Sequence, residues 1–414
     1  MPSPKFDQLL EKYAALAVKV GVNLQPGQRL LARAPIEAAP LVRLITESAY
    51  QAGARLVEVF WHDDALTLTR FQYAPRDSFE EFAVWRTDAL AAHAKNGDAF
   101  LSVSGADPDL LKGQNPDHIA LVQKTARTHM AEYYSYIMRN AVNWSIVSMP
   151  VPAWAAKIFP DASPEAQVSQ LWETIFQVCR IKQPDPVAAW QQHIQDLSAR
   201  SAYLNRKQYT ALKLTAPGTD LTIGLPRGHI WKSAQGTSEA GIQFTPNLPT
   251  EEVFTLPHKD RAEGTVTASK PLNYGGTLLE NFSLTFEKGR VVKATAGQGE
   301  AVLQGLLETD EGARRLGEVA LVPHSSPISQ ANILFYNTLF DENAASHIAL
   351  GRAYKFTLDG GAAMDDDEFG AAGGNYSLTH VDFMIGSAQM DVDGLYEDGS
   401  SEAVMRKGEW AFNT

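Results

Sequence analysis

Hydrophobic residues in the first part of the chain form short continuous runs separated by stretches with helical spacing. Four runs predict buried strands, at 30–34, 56–61, 99–103 and 144–149. The stretches 38–51 and 118–138 repeat apolar residues every three to four positions and predict helices. Strands that alternate with helices are typical of βαβ units built on a parallel sheet. This pattern predicts an α/β N-terminal domain, which we place at residues 1–200.

The pattern changes after two further predicted helices, one beginning at Pro164 and one ending near Arg206. Short strands and turns then dominate, at 221–225 and 265–268 and in a hairpin of 282–287 with 291–296. Only 300–308 and a stretch beginning near Asp341 have helical spacing, and the Gly- and Asp-rich segment 359–375 predicts a mobile surface loop. We therefore expect a β-rich α+β catalytic domain at 201–414, with the boundary between 190 and 208.

Length and composition narrow the classes of protein. The chain has 414 residues, more than the roughly 250 to 300 that one hydrophobic core usually supports, so two domains are expected. Its formal net charge of −12 would repel a phosphate backbone, which argues against a nucleic-acid partner. Neither a secretory signal nor a run of about 18 apolar residues occurs, so we expect a cytoplasmic protein without a membrane partner.

The cysteine content restricts any metal site. Cys179 is the only cysteine, so neither an intrachain disulfide nor a thiolate cluster can form. Its position on the apolar stripe of a predicted helix indicates a core residue. A metal ion would therefore need oxygen and nitrogen ligands.

His380 and Asp382 are the clearest candidates for such ligands. Side chains two apart in a strand share a face, so both would project together while Phe383 packs on the other side. A strand with one polar face is the alternative interpretation of this tripeptide.

Other candidates lie in three separate segments. His347 and Tyr354 are seven residues apart, so a helix starting near Asp341 would bring them to one face, although a partly buried helix with no ligand role fits as well. Glu318 and the pair Glu251 and Glu252 precede apolar strands, where glutamates are commonly solvated strand ends. A two-metal hydrolase needs several oxygen and nitrogen ligands, at least one of them bridging, and this set meets that demand.

The sequence also resembles the thermophilic aminopeptidases of peptidase family M29. The resemblance extends over nearly the whole chain and is carried most specifically by two blocks, Phe340-Asp-Glu-Asn-Ala-Ala-Ser-His-Ile-Ala-Leu-Gly-Arg-Ala-Tyr354 and His380-Val-Asp-Phe-Met-Ile-Gly-Ser387. It implies a site of two divalent metal ions (Zn²⁺, Co²⁺ or Mn²⁺), peptide substrates and a homodimer. The implied ligands are Glu252, Glu318, His347, His380 and Asp382, with Tyr354 as a catalytic residue that stabilises the oxyanion by hydrogen bonding. The segment 365–368 is more acidic than the family pattern, which leaves its role in substrate access open.

Several alternatives remain at this stage. Glu251 is either a catalytic general base beside the ligand Glu252 or, if the segment is extended, a structural residue facing away. A two-metal phosphoesterase uses similar ligands but needs a cation for phosphate, and Arg352 is the obvious candidate. A nucleotide-binding module lacks its glycine fingerprint, because Ala34-Pro35-Ile36 follows the first strand. A non-catalytic binding protein remains a further possibility.

Overall fold

A computed structural model describes residues 4–274 and 276–413. The chain divides into two compact units: one comprises Met1–Gln192 and Gln235–Pro249, the other His193–Ala234 and Thr250–Thr414. The predicted division at residue 200 is contiguous and does not include the return of residues 235–249 to the first unit. The assignment of separate functions to the two predicted domains stays a prediction.

The first unit contains a parallel sheet of four strands in the order β2-β1-β3-β4. The strands are β1 Arg29–Pro35, β2 Leu56–His62, β3 Ala99–Ser104 and β4 Trp144–Ser148. The helices are α1 Pro4–Leu16, α2 Ala39–Gln51, α3 Asp64–Tyr73, α4 Val84–Lys95, α5 Pro116–Met138, α6 Pro152–Ile158 and α7 Pro164–Val178, with α8 Pro186–Lys207 running on into the second unit. The mixture of strands and helices predicted for this part of the chain is confirmed.

Local signals start the helices of this unit. Asn115 accepts hydrogen bonds from the backbone N–H groups of Asp117 and His118 at the start of α5, and Ser163 accepts one from Ala166 at the start of α7. Proline follows both caps, where its missing N–H costs nothing. Cys179, just after α7, is fully buried, as predicted.

The second unit is built mainly on an antiparallel sheet of eight strands in the order β14-β13-β10-β6-β5-β18-β19-β20. Its strands are β5 Ala211–Ala216, β6 Thr219–Gly224, β10 Ala262–Thr267, β13 Ser283–Glu287, β14 Arg290–Thr295, β18 Asp391–Leu395, β19 Ser401–Arg406 and β20 Glu409–Trp410. The predicted hairpin is confirmed as β13 and β14, which pair in antiparallel register.

A smaller antiparallel sheet in the same unit has the order β17-β16-β15-β9. Its strands are β9 Val253–Thr255, β15 Leu316–Leu321, β16 His347–Gly351 and β17 His380–Met384. Two short hairpins complete the strands: β7 Gly236–Thr237 with β8 Gln243–Phe244 in the first unit, and β11 Leu272–Tyr274 with β12 Thr277–Leu279 in the second. The helices are short: α9 Glu300–Leu307, α10 Pro327–Ala331, α11 Thr338–Asp341 and α12 Asp366–Ala371.

Two predictions for this unit are wrong. The stretch from Asp341 to Tyr354 is not a helix, because α11 ends at Asp341, a 3-10 turn covers Glu342–Ala344, and His347 begins strand β16. The stretch 359–375 is not a plain loop either, because α12 lies within it. Its acidic residues cap that helix: Asp365 accepts from the backbone N–H of Glu368, and Glu368 accepts from that of Asp365.

Among the helices of the described residues, none combines the length and the apolar character needed to cross a bilayer.

Candidate metal centre

The four-stranded sheet brings the five predicted ligands together. Glu318 on β15 pairs with Ala349 on β16, and Ala349 pairs on its other side with Asp382 on β17. Residues directly opposite in an antiparallel sheet point to the same face, so the two carboxylates project on one side with only a methyl group between them. His347, two residues before Ala349, and His380, two before Asp382, share that face.

A β-bulge at Gly317 gives Glu318 this orientation. Leu316 pairs with Leu350, yet Glu318 pairs with Ala349, so Gly317 is an extra residue in the ladder. Without it, the register set by Leu316 would place Glu318 opposite Ile348, on the other face. A Cβ at Gly317 would lie 2.3 Å from the carbonyl oxygen of Arg352, which explains why glycine occupies the bulge.

The side chains of Glu252 and Glu251 lie in different surroundings. Glu252 precedes Phe254 by two residues, and Phe254 pairs with Ala320 in the row that also contains His347. Glu251 has the opposite parity, and its Oε2 lies 3.5 Å from Nε2 of His193 on α8. The structure therefore does not bring Glu251 into the ligand group, and this placement favours the structural alternative.

The ligand group consists of two triplets that share Glu318. Glu252, Glu318 and His347 form one triplet, and Glu318, His380 and Asp382 form the other, each with ligand atoms within 4.8 Å of one another. His347 Nε2 lies 3.1 Å from Glu252 Oε2 and 3.7 Å from Glu318 Oε1. His380 Nε2 lies 3.3 Å from Asp382 Oδ2 and 3.8 Å from Glu318 Oε2. Each oxygen of Glu318 thus faces a different imidazole.

Backbone carbonyls orient both imidazoles. His347 Nδ1 lies 3.0 Å from the carbonyl oxygen of Ala345, and His380 Nδ1 lies 2.7 Å from that of Arg352. A carbonyl only accepts, so each Nδ1 carries the proton and donates it. Both Nε2 atoms then point at the carboxylates, with a free lone pair when the ring is neutral. Such contacts commonly fix metal-binding histidines.

The charges of the group are strongly coupled. Burial raises the pKa of Glu318 to about 7, with a further contribution from Asp382 and an opposing hydrogen bond from His347. Burial disfavours the imidazolium of His380, but Asp382 and Glu318 outweigh it and raise its pKa to about 10. Without another cation, protons must therefore neutralise part of this buried negative charge.

The residues fit a divalent cation. Oδ1 of Asp382 is buried without a hydrogen-bond partner among the described residues, which is costly for a carboxylate oxygen unless a cation lies beside it. All candidate donors are oxygen or imidazole nitrogen, the set that zinc, cobalt and manganese bind in proteins. Two triplets joined by one carboxylate are the arrangement that a pair of ions sharing a bridging ligand requires.

Tyr354 lies beside the ligand group, although not on the predicted helix. It follows β16 after the chain has left the sheet, and its ring centroid lies 4.8 Å from that of His380. Phe356 stacks on its ring at 5.3 Å. Burial, followed by the charges of Glu318 and Asp382, raises the pKa of the Tyr354 hydroxyl well above its ordinary value, so the group is a hydrogen-bond donor.

Sequence reasoning missed two residues here. Asn343 is fully buried; its Oδ1 accepts from the backbone N–H of Glu251 at 2.7 Å, and its Nδ2 donates to the carbonyl of Leu339 at 3.1 Å, which fixes the segment before Glu252. Glu342 lines a cavity together with His380 and Asp382. Both lie inside a sequence block that carries the resemblance, but an acidic residue beside a predicted helix start gives no local sign of burial.

Comparisons with known proteins agree with this geometry. The family model described as thermophilic metalloprotease (M29) matches residues 6–410. Aminopeptidase 2 from Geobacillus stearothermophilus is 51% identical over 408 residues, 99% of either chain. Aminopeptidase T from Thermus thermophilus is 47% identical over 405 residues, 98% of this chain and 99% of the relative. The solved structure of wild-type AmpT from Thermus thermophilus superposes with a TM-score of 0.93 at 47% identity and covers 98% of this chain and 100% of that one. The resemblance drawn from the sequence is confirmed, and the chain belongs to the M29 family of thermophilic metalloproteases.

Proposed function

We propose that this protein is a metal-dependent aminopeptidase that removes N-terminal residues from peptides by hydrolysis. The observation that carries the proposal is the pair of carboxylate and histidine triplets sharing Glu318. Membership of a metalloprotease family supports the reaction class, and the relatives named aminopeptidases support the position of the cleaved bond.

The proposed cofactors are two divalent ions, zinc, cobalt or manganese. Glu252, Glu318 and His347 would hold one, Glu318, His380 and Asp382 the other, and Glu318 would contact both. When bound, such ions polarise the scissile carbonyl and make water a better nucleophile at neutral pH. The distribution of the ligands over three adjacent strands and the start of a fourth supports this assignment, since a sheet holds side chains more rigidly than loops do.

The chain's own residues have separate roles in this proposal. Tyr354 donates a hydrogen bond to the oxygen that becomes negatively charged in the transition state. The carbonyls of Ala345 and Arg352 keep the two imidazoles aligned. Of the two alternatives for Glu251, the proposal takes the structural one: beside His193, Glu251 holds the segment that presents Glu252.

A phosphoesterase finds less support. Arg352, the candidate for binding phosphate, donates from Nε to the carbonyl of Ser377 at 2.9 Å, and its guanidinium lies 4.9 Å from the centroid of the Tyr376 ring. Both contacts hold the guanidinium against the segment that precedes β17. The family match gives the phosphoesterase no support either.

We further propose that the second unit is the catalytic domain, following the predicted division at residue 200, and that the protein acts as a cytoplasmic homodimer. The location of all the proposed ligands in the second unit supports the first statement. A single, buried cysteine suits a reducing compartment. The homodimer rests on the resemblance to the family. Sedimentation analysis of the purified protein tests the dimer.

Two chromogenic substrates test the function. Leucine 4-nitroanilide should be hydrolysed and 4-nitrophenyl phosphate should not, and a chelator should abolish the first reaction. Hydrolysis of the phosphate ester alone would reject the aminopeptidase in favour of the phosphoesterase.

A further inference from the structure

A lysine lies on the same face of the small sheet as the proposed ligands. Lys232 and Phe254 exchange two backbone hydrogen bonds, at 2.8 and 3.0 Å, so they lie directly opposite each other. Directly opposite residues of antiparallel segments point to the same face. Phe254 pairs in turn with Ala320, and Ala320 pairs with His347. Lys232 therefore stands on the face of His347, three strand spacings of roughly 4.8 Å away.

The ammonium group of Lys232 has neither a hydrogen bond nor an ion pair within the part of the chain that the structure describes. Its side chain is partly buried, and this burial lowers the pKa of the ammonium without an opposing contribution from any carboxylate. The acids of the metal centre are therefore not its partners. A partly buried cation costs free energy unless an anion offsets it. Lys232 is thus left for an anionic group of a ligand.

Three aromatic rings form a continuous series from the metal centre to Lys232. The Tyr354 ring lies 4.8 Å from the His380 ring, and the Phe356 ring stacks on Tyr354 at 5.3 Å. The Phe254 ring packs edge to face on Phe356 at 6.3 Å, and Phe254 is the residue that pairs with Lys232. All three rings are partly exposed, so a ligand can lie along them. We call the rings of Tyr354, Phe356 and Phe254 the aromatic strip.

The aromatic strip has the length of a short peptide. Its ring separations of 5.3 and 6.3 Å correspond to at most about three residues of an extended chain, which advances roughly 3.3–3.6 Å per residue. The strip starts at Tyr354, the proposed hydrogen-bond donor to the reacting oxygen. An aminopeptidase has a single residue before the cleaved bond, so only the leaving portion of the substrate can extend along the strip. The C-terminal carboxylate of a short peptide then arrives at Lys232.

We propose that Lys232 binds the C-terminal carboxylate of short peptide substrates, whose leaving portion lies on the aromatic strip. This inference rests on the aminopeptidase function proposed above. It names a substrate class, peptides of about three to four residues with a free C terminus. A peptide amide has no carboxylate for Lys232, and a much longer peptide carries its carboxylate beyond the end of the strip. Both lose a charge-assisted hydrogen bond that the short acid makes.

Peptides that differ only at the C terminus test this assignment. The wild type should hydrolyse Leu-Ala-Ala with a kcat/KM about 10-fold higher than that for Leu-Ala-Ala amide, and an octapeptide should show no such difference. Lys232→Gln should lose the preference through a fall on the acid. Lys232→Arg, which keeps the cation, should retain most of the preference, and the exposed Lys293→Gln should retain all of it. An acid preference that persists in Lys232→Gln would overturn the proposal.

A third peptide distinguishes the source of the carboxylate. Leu-Ala-Glu amide carries its carboxylate on a side chain and has a blocked C terminus. Its hydrolysis should be no more sensitive to Lys232→Gln than that of Leu-Ala-Ala amide. If the variant impairs hydrolysis of this peptide and leaves that of Leu-Ala-Ala intact, Lys232 recognises an acidic side chain and the assignment to the C terminus is wrong.

Calorimetry separates this proposal from the function on which it rests. The probe is Leu-Ala-Ala with a reduced first peptide bond, which cannot be hydrolysed, in its acid and amide forms. The wild type should bind the acid about 10-fold more tightly than the amide, and Lys232→Gln should bind both equally. A wild type that cleaves no peptide would reject the aminopeptidase, while the binding ratio would still decide the role of Lys232. Equal binding of both forms by the wild type would refute that role.

Discussion

Glu318 is the residue on which the proposed two-metal arrangement depends most. Its oxygens lie 3.7 Å and 3.8 Å from Nε2 of His347 and His380, so it is the side chain common to both triplets. Replacing it by glutamine removes the shared negative charge while keeping the size of the side chain.

We expect Glu318→Gln to lower metal content and to reduce kcat by more than about 100-fold, with a fall in thermal stability no larger than the one that metal removal causes in the wild type. Metal analysis, steady-state kinetics and thermal unfolding of the variant measure these effects, with Glu308→Gln as the exposed control. A variant with both ions and normal turnover would show that Glu318 is not a bridging ligand.

Tyr354→Phe should lose turnover without losing metal. The hydroxyl is not one of the proposed ligands, so both ions should stay bound. Its hydrogen bond to the transition state is lost, and kcat should fall about 100- to 1,000-fold. Retained metal together with wild-type kcat would exclude a catalytic role for the hydroxyl.

Glu251 and Glu252 should separate in the same assays. Glu252→Gln should lose metal, because its carboxylate faces His347. Glu251→Gln should keep metal and most of its turnover, but should melt at a lower temperature because it weakens the pairing with His193. If metal is lost from the Glu251 variant and kept by the Glu252 variant, the two assignments must be exchanged.

Single-residue patterns predicted part of this site. A spacing of two residues in a strand was sufficient to place His380 and Asp382 on one face. The alternation of side chains along an extended segment also predicted that Glu251 and Glu252 would face opposite ways. Which of the two faces the ligand group became clear only from the pairing of β9 with β15. The partners of Glu251 lie far away in sequence, so no local pattern could distinguish the base from the structural alternative.

At the scale of elements, the bulge at Gly317 decides which face Glu318 occupies. An added Cβ would approach the carbonyl oxygens of Arg352 and Gly351 to 2.3 and 2.4 Å, so the strands would have to separate. Gly317→Ala should therefore lower the melting temperature and the metal content together.

Gly305→Ala is the matched control for that variant. Gly305 is exposed on α9, and apart from its chain neighbours and the backbone of its own helix no heavy atom lies within 4 Å of the position of its added Cβ. Alanine should stabilise the helix by up to about 1 kcal/mol and leave metal content unchanged. A Gly317→Ala protein as stable as wild type, with full metal, would mean that the bulge does not set the orientation of Glu318.

Elements with strong periodicity were predicted well, and those set by tertiary contacts were not. The βαβ strands and the hairpin β13–β14 follow directly from runs of apolar residues. Strand β16 was predicted as helix because Asp341 can cap a helix start and His347 and Tyr354 are two helical turns apart. Its backbone instead pairs with β15 and β17 on both sides, and these contacts outweigh the intrinsic propensity of the segment.

For the whole molecule, length alone indicated two units, but not how the chain is shared between them. Residues 235–249 group with the first unit, although they follow two strands of the second. The excursion depends on pairings such as Ile146 with Asn247, about one hundred residues apart. Long-range contacts of this kind leave no periodic signal in either segment.

Removal of the metal ions should abolish activity and leave both units folded. Both units have a core of buried apolar side chains, such as the cluster around Leu31 and Phe100 in the first and that around Leu256, Leu358 and Phe369 in the second, and apolar packing does not need a cation. Only the buried carboxylates lose their partner, and protons can replace part of that charge, as the raised pKa of Glu318 indicates.

We expect an unchanged far-ultraviolet circular dichroism spectrum after chelation, and a lower unfolding temperature because the ions bind only the folded state. Added Zn²⁺, Co²⁺ or Mn²⁺ should restore turnover. Full activity in excess chelator, once metal analysis has verified that the ions are gone, would refute the metalloenzyme assignment, whereas loss of the circular dichroism signal would show that the ions hold the second unit together.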